Sequence, residues 1–240
     1  MGGTAIKAAP VDPTTGALVA PRKQLATPPG ATPHGVGAVI ADLVRHFGWS
    51  GPVGCTLPTV VKAGRSLSAA NVDPSWIGLE AAALFSNVSG CQVEVVNDAD
   101  AAGLAEVTFG AGRDLAGVVV MLTFGTGIGS ALFVDATLVP NTEFGHIQVA
   151  GEAGETRAAA VVRERENLTW PQWAQRVDTY LAALEAALWP DGIIVGGGVS
   201  EVPENWVPLL HTRAPIVVAE FGNDAGIVGA ALVAQDRLGA

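Results

Sequence analysis

The chain has 240 residues, 49% of them apolar, which is enough to bury a core in one large domain or two smaller lobes. A formal net charge of −10 argues against nucleic-acid binding, which needs a Lys/Arg surplus to displace counterions. It also disfavours a polyanionic substrate in bulk, although a local basic patch is compatible with it. No signal-peptide pattern opens the chain, and no apolar run reaches the roughly 18 residues of a membrane span. The two cysteines, Cys55 and Cys91, have no metal-ligand spacing and read as buried thiols. A reducing, cytoplasmic setting follows as the expectation.

In chain order, 5–11 and 17–25 read as strands around the turn Asp12-Pro13-Thr14-Thr15-Gly16. A Pro-rich loop (27–34) leads into a helix over 35–47, with Val36, Val39, Ile40, Leu43 and Val44 on one side. Short strands follow at 53–57 and 93–96, then a helix over 99–106. The apolar run 117–124 has strand length, and 130–134 with 137–139 form a hairpin about Asp135-Ala136. Thr169 caps a helix over 171–188 with the stripe Trp173, Val177, Leu181, Leu184 and Leu188. Strands at 192–195 and 216–219 precede a closing helix, 225–238. Hairpin strands followed by alternating strands and helices predict a mixed α/β architecture.

Three Gly-rich turns stand out: Gly2-Gly3-Thr4, Gly125-Thr126-Gly127-Ile128-Gly129 and Gly196-Gly197-Gly198. Such turns let backbone N–H groups converge on phosphate oxygens, and Thr4 and Thr126 add hydroxyls. Each alone is equally a tight turn; three in one chain point to a phosphate clamp. No G-x-G-x-x-G dinucleotide signature is present. Asn97-Asp98-Ala99-Asp100 follows a strand, so Asp98 is placed either to take a proton from a hydroxyl or to cap the helix. Asp100, in the first helical turn, suits the dipole better than the base role. Glu143-Phe144-Gly145-His146 offers a carboxylate and an imidazole as polyol partners, with a structural histidine as the alternative. Trp76, near Asn71, is either a sugar wall or core, with core favoured. The run Arg163-Glu164-Arg165-Glu166 reads as a solvated helix face.

Together these segments resemble the sugar kinases of the repressor/open-reading-frame/kinase (ROK) family, in its polyphosphate glucokinase branch. The motifs carrying the resemblance begin with Gly2-Gly3-Thr4-Ala5-Ile6-Lys7, Asn71-Val72-Asp73 and Ser75-Trp76-Ile77-Gly78. They continue with 96–103, 122–131, 138–146 and 193–200, so almost the whole chain is covered. The resemblance implies an actin-like, ribonuclease-H-like fold with two lobes around a cleft. The expected division is a small N-terminal lobe (1–101, joined by the helix 225–240) and a larger C-terminal lobe (102–224). It implies phosphoryl transfer from polyphosphate or ATP to the 6-hydroxyl of glucose, with Asp98 as base. Asn71, Asn97, Glu143, His146 and Glu155 would hold the sugar, Glu155 on a looser match. Gly3, Thr4, Lys7, Thr126, Gly127, Gly196, Gly197 and Gly198 would face the donor, and Mg²⁺ would accompany it. No zinc loop is present, as in that branch, and a homodimer is implied.

Two departures bear on this. Family members begin with a strand ending in Asp-Ile before Gly-Gly-Thr; here Met1 occupies the place of that Ile, so the first N-terminal strand and its Asp are missing. That motivates an alternative, a sugar-binding pseudokinase with impaired catalysis. Secondly, Pro74 stands where the branch usually has Lys, and Glu201-Val202-Pro203-Glu204 is acidic where the branch tends to be basic. These make polyphosphate preference less secure than glucose kinase identity. A sugar-responsive regulator of the same family is disfavoured, since no helix-turn-helix fits before Gly2.

Overall fold

A computed structural model describes residues 4–69 and 72–239. The chain divides into two compact units, residues 1–105 with 224–240, and residues 106–223. The first crossing, at 105/106, lies about one helical turn beyond the expected 101/102 division and, like it, falls within helix α3. The two units are nearly equal in length.

In the first unit, β1 (Ala5–Ala8) pairs antiparallel with β2 (Lys23–Ala26). The expected strands are longer than the observed ones. Pro10, Pro13 and Pro21 have no N–H to give a ladder, and between them only the bridge Val11–Leu18 forms. Asp12 closes the turn by accepting from Thr14 N–H at 2.9 Å. Helix α1 (Pro33–Phe47) opens on a proline at its first position, with Thr32 accepting from Gly35 N–H. β3 (Val53–Leu57), the two-residue strands β4 (Val61–Lys62) and β5 (Arg65–Ser66), and α2 (Ala81–Ser89) follow. β6 (Val93–Asn97) pairs in parallel with β3, Leu57 opposite Asn97, and leads straight into α3 (Asp98–Thr108). Among the described residues β1 and β3 share no ladder. The strand expected to precede Gly2 lies outside those residues.

The core of this unit gathers Val36, Ile40, Leu43, Leu57, Trp76, Phe85 and Val95. Trp76 is fully buried and donates its indole N–H to Ala31 O at 2.8 Å, so it is core and not a sugar wall. Cys91 is buried as expected. Cys55 retains exposed surface, yet desolvation pushes its thiol up to about 12.

The second unit is built on a five-stranded sheet of β7 (Val118–Phe124), β8 (Ile128–Val134), β9 (Thr137–Val139), β12 and β13. The small pair β10 (Gln148–Val149) and β11 (Glu152–Ala153), then α4 (Gly154–Ala158), α5 (Ala160–Arg165) and α6 (Trp170–Leu188), lie between β9 and β12 (Gly192–Gly196). β13 (Ile216–Val218) completes the sheet, in the order β13-β12-β7-β8-β9. β13, β12 and β7 run parallel, and β7, β8 and β9 alternate. α6 carries a full capping box at Thr169 and Gln172 and buries Trp173, Val177, Leu181 and Leu184 against the sheet. The fully buried Glu106 needs no cation, because it accepts from the N–H groups of Ala111, Glu220 and Phe221 at 3.0, 3.0 and 2.8 Å. The last helix, α7 (Ala225–Leu238), returns to the first unit and packs on β3 and β6, with Ala230 and Val233 against Val96 and Ala101.

Candidate active site

In the first unit the candidate residues Asn97 and Asp98 lie at the junction of β6 and α3. Asn97 is buried, and its Oδ1 accepts from Ala99 N–H at 2.9 Å and Asp100 N–H at 3.1 Å. Asn97, and not Asp98, therefore caps α3. Its Nδ2 donates to Thr59 O at 3.1 Å, which fixes the amide and leaves one N–H for a ligand. Thr59 is held in turn by Ser66, whose hydroxyl donates to Thr59 Oγ1 at 3.0 Å. Asp98 opens the helix half-buried, with Oδ1 accepting from Ala99 N–H at 3.0 Å. Burial raises its affinity for a proton, and the Ala99 N–H offsets this only in part. Asp100 is buried within the first turn. Thr4 is exposed just before β1, and Lys7 lies within β1 opposite Gln24. Gly3 and Asn71 lie outside the described residues.

In the second unit Glu143 is exposed on a loop anchored by the buried Ser130 hydroxyl and by Thr142 Oγ1, which donates to Ser130 O at 3.1 Å. Ser130 Oγ of β8 donates to Thr142 O at 2.8 Å and accepts from Phe144 N–H at 2.9 Å, gripping the chain on both sides of Glu143. A single-turn 3-10 helix, Phe144–His146, then presents the His146 ring. Glu155, in the first turn of α4, completes the group: its Oε1 stands 3.4 Å from His146 Nε2, and its Oε2 accepts from Ile128 N–H at 3.1 Å. A carboxylate and an imidazole facing one another, with a second carboxylate on the adjoining loop, can give and take hydrogen bonds with adjacent sugar hydroxyls.

The two Gly-rich turns of this unit end neighbouring parallel strands. Thr123 of β7 lies opposite Gly196 of β12, so Gly125-Thr126-Gly127 and Gly197-Gly198 emerge side by side at the C-terminal edge of the sheet. Ligands in α/β sheets collect at that edge. Gly197 has φ +88 and ψ −178, a conformation confined to glycine, and a Cβ there would lie 2.2 Å from Phe124 O. Ser200 N–H and Oγ both bond to Gly197 O, at 3.0 and 2.7 Å, and Trp206 donates to Val199 O at 3.0 Å. Thr126 is exposed at the tip of its turn.

The structure thus ties the Glu143 loop, through Ser130, and Glu155, through Ile128 N–H, to strand β8 of the hairpin whose turn carries Thr126 and Gly127, and sets His146 beside Glu155. Sequence reasoning missed the residues that hold them: Ser130, Thr59 and Trp206 contact the site segments through the fold. Their only local signal is a polar or indole group in an otherwise apolar stretch. The charged run at 163–166 is tied down by Glu166, which meets Arg176 at 2.8 Å and Arg165 at 3.0 Å, while Arg163 stacks on Trp170.

This fold is that of the actin-like sugar kinases. More narrowly, the chain belongs to the ROK family, whose sequence profile matches residues 1–162. A polyphosphate glucokinase of Mycobacterium tuberculosis is 52% identical over 233 residues, covering 97% of this chain and 88% of that protein. The crystal structure of an inorganic polyphosphate/ATP-glucomannokinase from Arthrobacter sp. strain KM superposes with a TM-score of 0.95 at 43% identity, covering 99% of this chain and 96% of that one. A ROK family glucokinase from Streptomyces griseus, in complex with glucose and AMPPNP, matches with a TM-score of 0.83 at 26% identity, covering 98% and 97%.

Proposed function

We propose that this chain is a glucokinase that transfers a terminal phosphoryl group from polyphosphate or ATP to the 6-hydroxyl of glucose. The observation that carries the reading is the pair of Gly-lined turns at adjoining parallel strand ends, joined to the Glu143, His146 and Glu155 group through one hairpin. Its relatives include a polyphosphate glucokinase and a polyphosphate/ATP-glucomannokinase.

Asp98 acts as the base. Its raised proton affinity suits it to accept the 6-hydroxyl proton as the hydroxyl oxygen bonds to phosphorus and the bridging P–O bond to the donor breaks. Asn71, Asn97, Glu143, His146 and Glu155 hold the other hydroxyls. Gly3, Thr4, Lys7, Thr126, Gly127 and the Gly196–Gly198 turn receive the donor phosphates. Mg²⁺ enters with the donor: no three His, Cys, Asp or Glu side chains converge among the described residues, and this ion needs no such cage, since it keeps water and takes phosphates as ligands. When bound it neutralises charge on the transferring group. No helix among the described residues is long and apolar enough to cross a membrane. From the family resemblance we place the protein in the cytoplasm as a homodimer.

Glucose 6-phosphate formation, followed side by side with polyphosphate and with ATP, tests the reading. Product with at least one donor is expected. No product with either, from a sample whose fold is verified by circular dichroism, would overturn it.

A further inference from the structure

Glu155 faces two ways. Its side chain is 26% exposed, and one oxygen belongs to the sugar group while the other belongs to the Gly-rich turn. The turn is shaped to admit it: a Cβ at Gly127 would lie 2.4 Å from Glu155 Oε2, and one at Gly145, beside His146, would lie 3.3 Å from the same oxygen. Behind α4 the fully buried Tyr180 ring blocks retreat, since a Cβ at Gly154 would come within 2.5 Å of it. The chain is also tied at both ends of this short helix, by Gly154 N–H to Ile147 O at 2.9 Å and by Ala159 N–H to Glu155 O at 3.1 Å. The freedom that remains is rotation of the carboxylate itself, and that rotation is shared by Ile128 N–H and the His146 side.

We infer that Glu155 is a positioning residue for the phosphate-donor turn. A sugar hydroxyl bonded at Oε1 fixes the carboxylate, and Oε2 then fixes Ile128 and, with it, Thr126 and Gly127. Sugar and donor binding are thereby coupled, and by linkage each tightens the other. The inference rests on the reading above, in which His146 and Glu155 meet the sugar while Thr126 and Gly127 meet the donor.

Calorimetry of glucose binding to the full chain provides the test, performed alone and with a saturating inert donor. That donor is the imido analogue of ATP, or a methylene-bridged triphosphate where polyphosphate proves to be the donor. The wild type should bind glucose more tightly with the analogue, by a factor between about 5 and 150, the usual range of such couplings. In Glu155→Ala the ratio should fall to one. In Glu155→Gln, which keeps an acceptor for Ile128 N–H, much of it should return. Gly127→Ala, whose methyl displaces the carboxylate, should weaken glucose binding with no donor present. A Glu155→Ala variant that loses glucose affinity but keeps the wild-type ratio makes Glu155 a sugar contact alone and overturns the inference, as does a wild type with no ratio. Failure of the wild type to bind glucose at all strikes instead at the glucokinase reading, and the inference falls with it.

Discussion

Replacing Asp98 by asparagine separates catalysis from folding in a way the structure makes quantitative. The Ala99 N–H that Asp98 accepts at 3.0 Å can equally be accepted by the asparagine carbonyl, and the α3 cap is Asn97, so the helix start is preserved. What disappears is the anionic oxygen to which the proposed mechanism assigns the proton. Loss of a positioned base costs about 10²–10⁴ in rate, or roughly 3–5 kcal/mol of barrier. Stability should move the other way. Burial raises the folded-state pKa of Asp98 above its unfolded value. The stabilisation linked to this group is therefore present below the unfolded pKa and lost as pH rises through the folded one. At neutral pH the ionised carboxylate is a net burden that asparagine removes, so Asp98→Asn should melt no lower than the wild type. The wild type should close that gap on acidification. Its kcat/KM should also fall on the acid side at a pH above the ordinary carboxylate range, a limb absent from the variant's residual rate. The assay is glucose 6-phosphate formation across pH, with glucose Kd by calorimetry and melting curves on the same samples. Turnover within about tenfold of wild type would reassign the base. Lost turnover accompanied by a lower melting temperature would show structural damage and refute the reasoning.

Asn97→Ala removes a helix cap and strands the Thr59 carbonyl, costs of about 0.5–2 and 1–3 kcal/mol, so melting should drop by roughly 5–15 °C in a chain of this length. Trp206→Phe keeps a ring against Phe124 but deletes the indole N–H that holds Val199; steady-state kinetics should show a higher KM for the donor with KM for glucose unchanged. Gly197→Ala meets both a Gly-only conformation and the Phe124 carbonyl, a cost on the order of 3 kcal/mol or more, read as a lower urea midpoint.

The parts of the fold legible in the sequence are those with long, regular patterns. The stripe on α6 and its Thr169 cap, the β7 run, and the Asp135-Ala136 hairpin all stand where the pattern puts them. Asp135 and Ala136 adopt φ +48 and +61, the left-handed turn that a two-residue hairpin needs. The illegible parts are short or interrupted. β4 and β5 have two residues each, and α4 and α5 are a turn or so long. α2 is nine apolar-rich residues without a clear periodic face, so pattern alone gives no handle on it. Site residues follow the same division. Asp98 was visible at its strand-to-helix junction, but the residue that caps the helix was not distinguishable from it: Asn and Asp are interchangeable as caps until side-chain directions are known. The contacts that position the site join Ser130 to Thr142, Ile128 to Glu155 and Thr59 to Asn97. Each pair is too far apart in the chain for any periodicity to report.

Beneath the exposed turns of the second unit lies a feature that explains why so few polar groups suffice there. Phe124, Trp173 and Trp206 pack edge to face, with centroids 5.1 to 5.9 Å apart. Such pairs contribute about 0.5–1.5 kcal/mol each beyond their burial. Each ring also stands at a point where a site segment leaves the core. Phe124 precedes the Gly125 turn, Trp173 donates to Ala158 O and Ala159 O at the α4–α5 corner, and Trp206 donates to Val199 O after Gly197. Three segments distant in sequence are thus fastened to one buried aromatic platform. Phosphoryl transfer depends chiefly on positioning and charge stabilisation. A buried platform of this kind supplies positioning for the turns, whose own residues at 125–127 and 197–198 are glycine and threonine. Glu155 lies next to that platform: it opens the helix whose far end Trp173 holds, and its carboxylate reaches from there to Ile128 N–H and to His146.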